Sequence, residues 1–139
     1  MKNQKKLAQI PPGGYLLAKT PITFNQDKTE TRLKVRNTGD RPIQIGAHFH
    51  FFEANQALKF NRSASWGKRL NITATTAMRF EPGDEVEVSL IDFGGKQTIY
   101  GFNNLADGWV GYSPVAFGER AQKKCAVERA IALNYQTTE

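Results

Sequence analysis

Two histidines and a single cysteine are all the imidazole and thiol that this chain of 139 residues carries. Both histidines lie in one stretch, residues 37–53, which reads NTGDRPIQIGAHFHFFE. From Ile43 onward the odd positions are Ile43, Ile45, Ala47, Phe49 and Phe51 and the even ones Gln44, Gly46, His48, His50 and Phe52, the period of a strand with one buried face. His48 and His50 then share the other face, about 6.6 Å apart for two residues of strand rise. That spacing suits a shared ligand, a metal ion or a partner surface. Glu53 falls on the odd face of a regular strand, pointing away from both imidazoles unless a bulge intervenes.

Counting donors limits the metal reading. A His-x-His on a β-strand with a carboxylate nearby resembles the metal site of cupins, which recruit a further histidine from a later strand, and this chain has no third histidine. Structural zinc takes four protein ligands and catalytic zinc usually three. Cys125 has no thiol partner for a disulfide or a Cys-based zinc site, which suits a reducing compartment. The remaining reading makes His48 and His50 hydrogen-bonded framework or interface residues. No glycine-rich phosphate loop and no nucleophile elbow is present.

The net charge of +6 and a pI near 9.6 point to an acidic partner. Residues 54–80 contain no Asp or Glu but do contain Lys59, Arg62, Lys68, Arg69 and Arg79, so one face or loop is expected to be basic. With Phe60 and Trp66 interleaved, this stretch could bind nucleic acid through phosphate contacts and base stacking. A protein interface anchored by Trp66 is the alternative, since large amphipathic aromatics dominate such anchors.

The elements that must position these residues are mostly strands. Residues 15–18 and 22–24 read as short strands broken by Pro21, and residues 29–36 alternate Thr29, Thr31, Leu33 and Val35 against Glu30, Arg32, Lys34 and Arg36. Asn37, Thr38, Gly39 and Asp40 form a turn before Pro42. Residues 55–67 have no strand period; residues 70–72 and 78–80 resume it. Glu81-Pro82-Gly83-Asp84 predicts a type II turn. Residues 85–91 alternate again, and Gly94-Gly95 predicts a hairpin whose return strand is 97–102. Residues 119–134 are rich in helix formers, with Val127, Ala130 and Ile131 as an apolar stripe. The expected fold class is all-β: an antiparallel sandwich or jelly-roll-like barrel with a short C-terminal helix. The division is a flexible N-terminal segment at 1–9, a β domain at 10–105, and an extension at 106–139 holding the helix. No segment has the length and apolarity of a bilayer span or signal peptide, so the expectation is a cytoplasmic protein without membrane contact.

Four motifs in order, NTGDRPIQIGAHFHFFEAN (37–55), GKRLNI (67–72), RFEPGD (79–84) and GGKQTIYGFN (94–103), resemble the beta subunit of bacterial urease over residues 10–105. Departures are local: Ala47 stands where that family usually has Ser, Thr73 to Thr76 replaces a Pro-Ala-Gly turn, and Pro12 with the glycine pair alters the start. The resemblance implies a small β-sandwich or jelly-roll module without catalytic or metal-binding residues of its own. It implies membership of a nickel-dependent enzyme that hydrolyses urea to ammonia and carbamate, the two nickel ions and their ligands belonging to the partner alpha subunit. The implied partners are the alpha and gamma subunits, in a trimer of alpha-beta-gamma units that associates further in some members, and urease accessory proteins during nickel loading; nucleic acid is not among them. The expected interface residues are His48, His50, Phe52, Lys59, Arg62, Trp66 and Arg69.

Overall fold

The computed structural model describes residues 10–111 and 117–138. In chain order it contains the strands β1 (Thr31–Asn37), β2 (Ile43–Gly46), β3 (Leu58–Lys59), β4 (Lys68–Leu70), β5 (Ala77–Phe80), β6 (Glu85–Asp92), β7 (Thr98–Ile99) and β8 (Gly108–Trp109). Single 3₁₀ turns stand at Phe51–Glu53 and Ser63–Ser65, and one helix, α1, at Phe117–Ala132. All named pairings are antiparallel: a four-stranded sheet in the order β3-β1-β6-β4, and the pairs β2-β5 and β7-β8. Over the described residues the fold is all-β with one helix.

Alternation in the sequence builds the main sheet. β1 and β6 pair over six positions, placing Val35 beside Val86 and Leu33 beside Val88 on the inner side. On the outer side Lys34 lies opposite Glu87 and Arg36 opposite Glu85, opposite-charge cross-strand positions that favour this register.

The turn at residues 81–84 changes sheet rather than reversing within one. Gly83 has φ +80°, the left-handed conformation a type II turn requires at its third position, and Asp84 N–H donates to Glu81 O at 3.1 Å. The strand before it, β5, pairs with β2, while the strand after it, β6, pairs with β1 and β4. At the same corner Asn37 is fully buried, and its side chain satisfies three main-chain groups: Oδ1 accepts from Gly39 N–H, and Nδ2 donates to Arg41 O and Phe80 O. One asparagine therefore joins the end of β1 to the end of β5. Between the sheets lies the larger core, with Val35, Leu70, Val88 and Leu90 from one side, Ile45 and Phe80 from the other, and Phe51, Leu58 and Phe60 filling the end.

Several local expectations are corrected. The strand begun at Ile43 stops at Gly46, because Phe49 N–H donates back to Gly46 O and the next residues enter the 3₁₀ turn. The Gly94-Gly95 hairpin does not form: the short β7 pairs with β8, leaving β6 to its partners β1 and β4. Residues 15–18 and 22–24 are in no strand. On α1 the buried stripe is Ala126 and Ala130 with Val127 at its margin, while Ile131 is 56% exposed.

After α1 the chain returns to the core. Asn134 takes a left-handed conformation (φ +63°), and Tyr135 N–H donates to Ala130 O, a Schellman-type stop that asparagine tolerates. Residues 136–138 then run along β3: Gln136 N–H donates to Gln56 O, Thr138 N–H donates to Phe60 O, and Thr137 bridges Phe60 in parallel.

Phe80 carries much of the inter-sheet contact and is completely buried. Replacing it with alanine is expected to cost about 3–5 kcal/mol of stability, through lost transfer energy and an unfilled cavity. A urea melt of the Phe80→Ala chain checks this; a midpoint within error of wild type would contradict it.

Candidate functional site

His50 and Glu53 are three residues apart. In a strand that spacing sets them on opposite faces, but here the chain turns into 3₁₀ geometry immediately after His50, which has extended φ/ψ of −64° and 104°. A 3₁₀ turn eclipses positions i and i+3. The carboxylate therefore meets the ring: His50 Nδ1 lies 2.7 Å from Glu53 Oε2, both side chains being removed from solvent. Gly67 N–H donates to His50 Nε2 at 2.9 Å. Nε2 therefore holds the lone pair and Nδ1 the proton, which is donated to the carboxylate. Glu53 Oε1 accepts from Leu105 N–H at 2.8 Å, and its main-chain oxygen accepts from the Asn103 side chain at 2.6 Å. Both ring nitrogens and both carboxylate oxygens are in use.

Gly67 is required where it stands. It has φ +69°, and a Cβ there would lie 2.3 Å from Val110 O. Only a glycine lets the backbone deliver its N–H to the imidazole while Val110 packs against it.

Beside this pair sits a buried cation. The Arg62 side chain donates from Nε to Gln136 O, from Nη1 to Phe52 O and Ala54 O, and from Nη2 to Asn55 O and Leu58 O, at 2.7–3.0 Å. All five guanidinium donors are matched to carbonyls. The plane lies over Phe60 at 4.4 Å and Tyr135 at 5.0 Å from the ring centroids. Burial pushes its pKa down to about 10, partly offset by Tyr135, so the group stays charged at neutral pH.

The site's chemistry is that of a clamp. His50 can ligate a metal ion only by giving up a bond, since its Nε2 lone pair is occupied by Gly67 and its Nδ1 proton by Glu53. His48 is exposed beside Arg69, Phe24, Asn25 and Ile72, and offers one imidazole by itself. Among the described residues no group of three or more His, Cys, Asp or Glu side chains could hold a metal ion. The donor set does not fit nickel, or any metal that needs three protein ligands.

A family model described as "Urease beta subunit" matches residues 12–109. The chain belongs to the urease beta subunit family. A urease subunit beta from Photorhabdus laumondii is 67% identical over 119 residues, covering 86% of this chain and 92% of that protein. One from Yersinia enterocolitica is 64% identical over 129 residues, covering 93% and 79%. A urease subunit beta 2 from Brucella abortus is 56% identical over 130 residues, covering 94% and 81%.

The residues expected at a partner surface divide in two. His50, Phe52, Arg62 and Trp66 are buried within the chain, in the clamp or in the second core with Leu105, Val110 and Ala126. Trp66 packs edge-on against His50 and Phe52 at 5.4 and 5.1 Å and leaves 7% of its surface open, so it is no projecting anchor. These four turn inward because the chain bends at residue 50 and because Arg62 has five carbonyls to serve. His48, Lys59 and Arg69 do reach the surface, Arg69 only in part. Nor do the five cations of residues 54–80 form one face. Arg62 is internal, Lys68 pairs with Asp92 at 2.6 Å, and Arg79 pairs with Glu81.

Glu53 is the residue that the strand period misplaced; the His-x-x-Glu spacing, read as one 3₁₀ turn, was the signal for it. Arg62 carried no such signal, because its five partners are main-chain carbonyls.

Arg62→Lys keeps the charge but supplies three donors for five carbonyls, of which Asn55 O also accepts from Leu58 N–H, so at least one is left bare at a cost of about 1–3 kcal/mol. The expected result is a lower melting temperature, with faster amide exchange at Gln136 and Thr138. Glu53→Ala strips both His50 Nδ1–H and Leu105 N–H of their acceptor, and about 2–6 kcal/mol of destabilisation is expected on the same scale. Calorimetry on the two variants measures both losses; wild-type melting in either would show that the clamp does not hold the fold.

Proposed function

We propose that this chain is a structural, non-catalytic subunit of a nickel-dependent urease, the enzyme that hydrolyses urea to ammonia and carbamate. Membership of the urease beta subunit family carries this reading. The chemistry of the chain supports it. Its buried histidine and carboxylate are spent on each other and on backbone N–H groups, and its other histidine stands alone on the surface. Urea hydrolysis at a pair of nickel ions needs a ligand set larger than two imidazoles, which points to a partner chain for the metal centre; the family resemblance makes that chain the alpha subunit.

In this reading the beta chain packs on the alpha subunit and, with the gamma subunit, completes a unit that assembles as a trimer in the cytoplasm. Urease accessory proteins meet the assembly when nickel is loaded. Of the residues that could face a partner, His48, Lys59 and Arg69 are the ones with surface to offer. Neither nucleic acid nor a membrane enters; no helix among the described residues is long and apolar enough to cross one.

Ammonia release from urea decides the matter. The chain expressed alone should release none above background, and co-expression with the alpha and gamma chains and a nickel-loading system should give activity that depends on the beta chain. Urea hydrolysis by the isolated polypeptide would overturn the reading.

A further inference from the structure

β3 pairs with β1 at only two positions, Arg36 with Lys59 and Asn37 with Leu58, and then leaves it, while β1 runs back to Thr31 along β6. Where the two strands part there is an open cavity of about 380 Å³. Its wall carries Lys34 and Arg36 from β1, Lys59 and Asn61 from the chain that leaves, Thr138 from the residues after α1, and one acid, Glu85.

The fold does not settle the charges on this wall. Arg36 and Lys59 stand directly opposite one another, and like charges at facing positions of an antiparallel pair repel. Glu85 faces Arg36 and Glu87 faces Lys34, yet among the described residues none of these cations forms an ion pair; the pairs that do form lie elsewhere. Three cations against one carboxylate leave the cavity two positive charges in excess. A phosphate group carries about −1.5 to −2 at neutral pH and matches that excess.

The hydrogen-bonding groups fit the same ligand. The planar guanidinium of Arg36 can hold two oxygens of one phosphate, and the two ammonium groups act as point charges. Asn61 spends Oδ1 on Ala64 N–H, which leaves its Nδ2 to donate, and the Thr138 hydroxyl is a further donor. Glu85 and Glu87 close off the positive surface along β6, so it is one site and no track for a polyanion.

We propose that this cavity binds a small phosphate-bearing anion, held by Lys34, Arg36 and Lys59 with Asn61 and Thr138 as neutral donors. Its volume is at the lower end for small-ligand pockets, which suits inorganic phosphate or a small phosphomonoester. The bound anion turns the repulsion between Arg36 and Lys59 into two attractions. The site is built from this chain by itself and does not depend on the reading of the chain as a urease subunit.

NMR on the full chain tests it, by titration with inorganic phosphate at neutral pH against sodium chloride of equal ionic strength. The amides of Lys34, Arg36, Lys59, Asn61 and Thr138 should shift saturably, and the melting temperature should rise with phosphate. Lys59→Gln should weaken binding by about tenfold. Without phosphate it should melt no lower than wild type, because the repulsion is gone. Glu85→Gln should tighten binding, whereas Arg41→Gln, at an exposed cation outside the cavity, should leave it unchanged. Glycerol phosphate separates the two sources: tighter binding than inorganic phosphate assigns the site to a phosphomonoester, and equal or weaker binding assigns it to the free ion. The proposal is overturned if the shifts do not saturate, if chloride produces them equally, or if Lys59→Gln binds phosphate as tightly as Arg41→Gln.

Discussion

Five carbonyls converge on the Arg62 guanidinium, and four of them come from residues 52–58, which make the passage from the 3₁₀ turn into β3. A segment that turns this often cannot pair its carbonyls in a sheet or helix, and each one buried without a donor would cost about 1–3 kcal/mol. One side chain with five donors in a rigid fork serves all of them, which a lysine could not do. The fifth carbonyl, Gln136 O, belongs to the far end of the chain. The guanidinium therefore fixes the irregular centre of the fold and the position of its last residues together, and it lies between Phe60 and Tyr135, one ring from each of those regions.

The His50–Glu53 pair does for the neighbouring corner what Arg62 does for the carbonyls. Arg62 takes up Phe52 O and Ala54 O, on either side of Glu53, while the Glu53 side chain takes the N–H of Leu105 and the ring N–H of His50. Through Gly67 and Leu105 the same pair reaches both margins of the second core, where Phe52, Trp66, Leu105 and Val110 meet Ala126 and Ala130 of α1. With alanines at its contact face, α1 comes close enough for the Arg129 side chain to donate to Leu105 O at 3.0 Å. The helix is thus held to the same loop that the carboxylate organises.

These bonds mark where the sequence was legible. The alternation of residues 29–36 and 85–91 became β1 and β6, and the Glu-Pro-Gly-Asp turn, the Asn-Thr-Gly-Asp turn and the C-terminal helix formed because each depends on interactions within a few residues. Residues 47–54 misled because their apolar side chains fit a strand's period and a buried 3₁₀ turn equally well; the choice is made by Gly67 and Leu105, 17 and 52 residues away along the chain. Charge and amphipathic aromaticity usually mean surface, so the sequence by itself puts Arg62 and Trp66 there. Burial of Arg62 depends on carbonyls that no side-chain pattern displays. The family resemblance rested on whole motifs and so was unaffected by errors in placing single residues.

The same reasoning separates what stabilises this chain from what it can offer a partner. The buried polar groups of His50, Glu53 and Arg62 are matched internally, while the Trp66 indole N–H beside them is buried without a partner, so the clamp itself offers a binding partner no free donor or acceptor. Along residues 15–24 the balance is reversed. About 25 cal/mol is gained for each Å² of apolar surface removed from water, and the chain leaves that gain unrealised over five large side chains while it buries Phe51, Phe52, Phe60 and Phe80 completely. Its own sheets do not take residues 15–24.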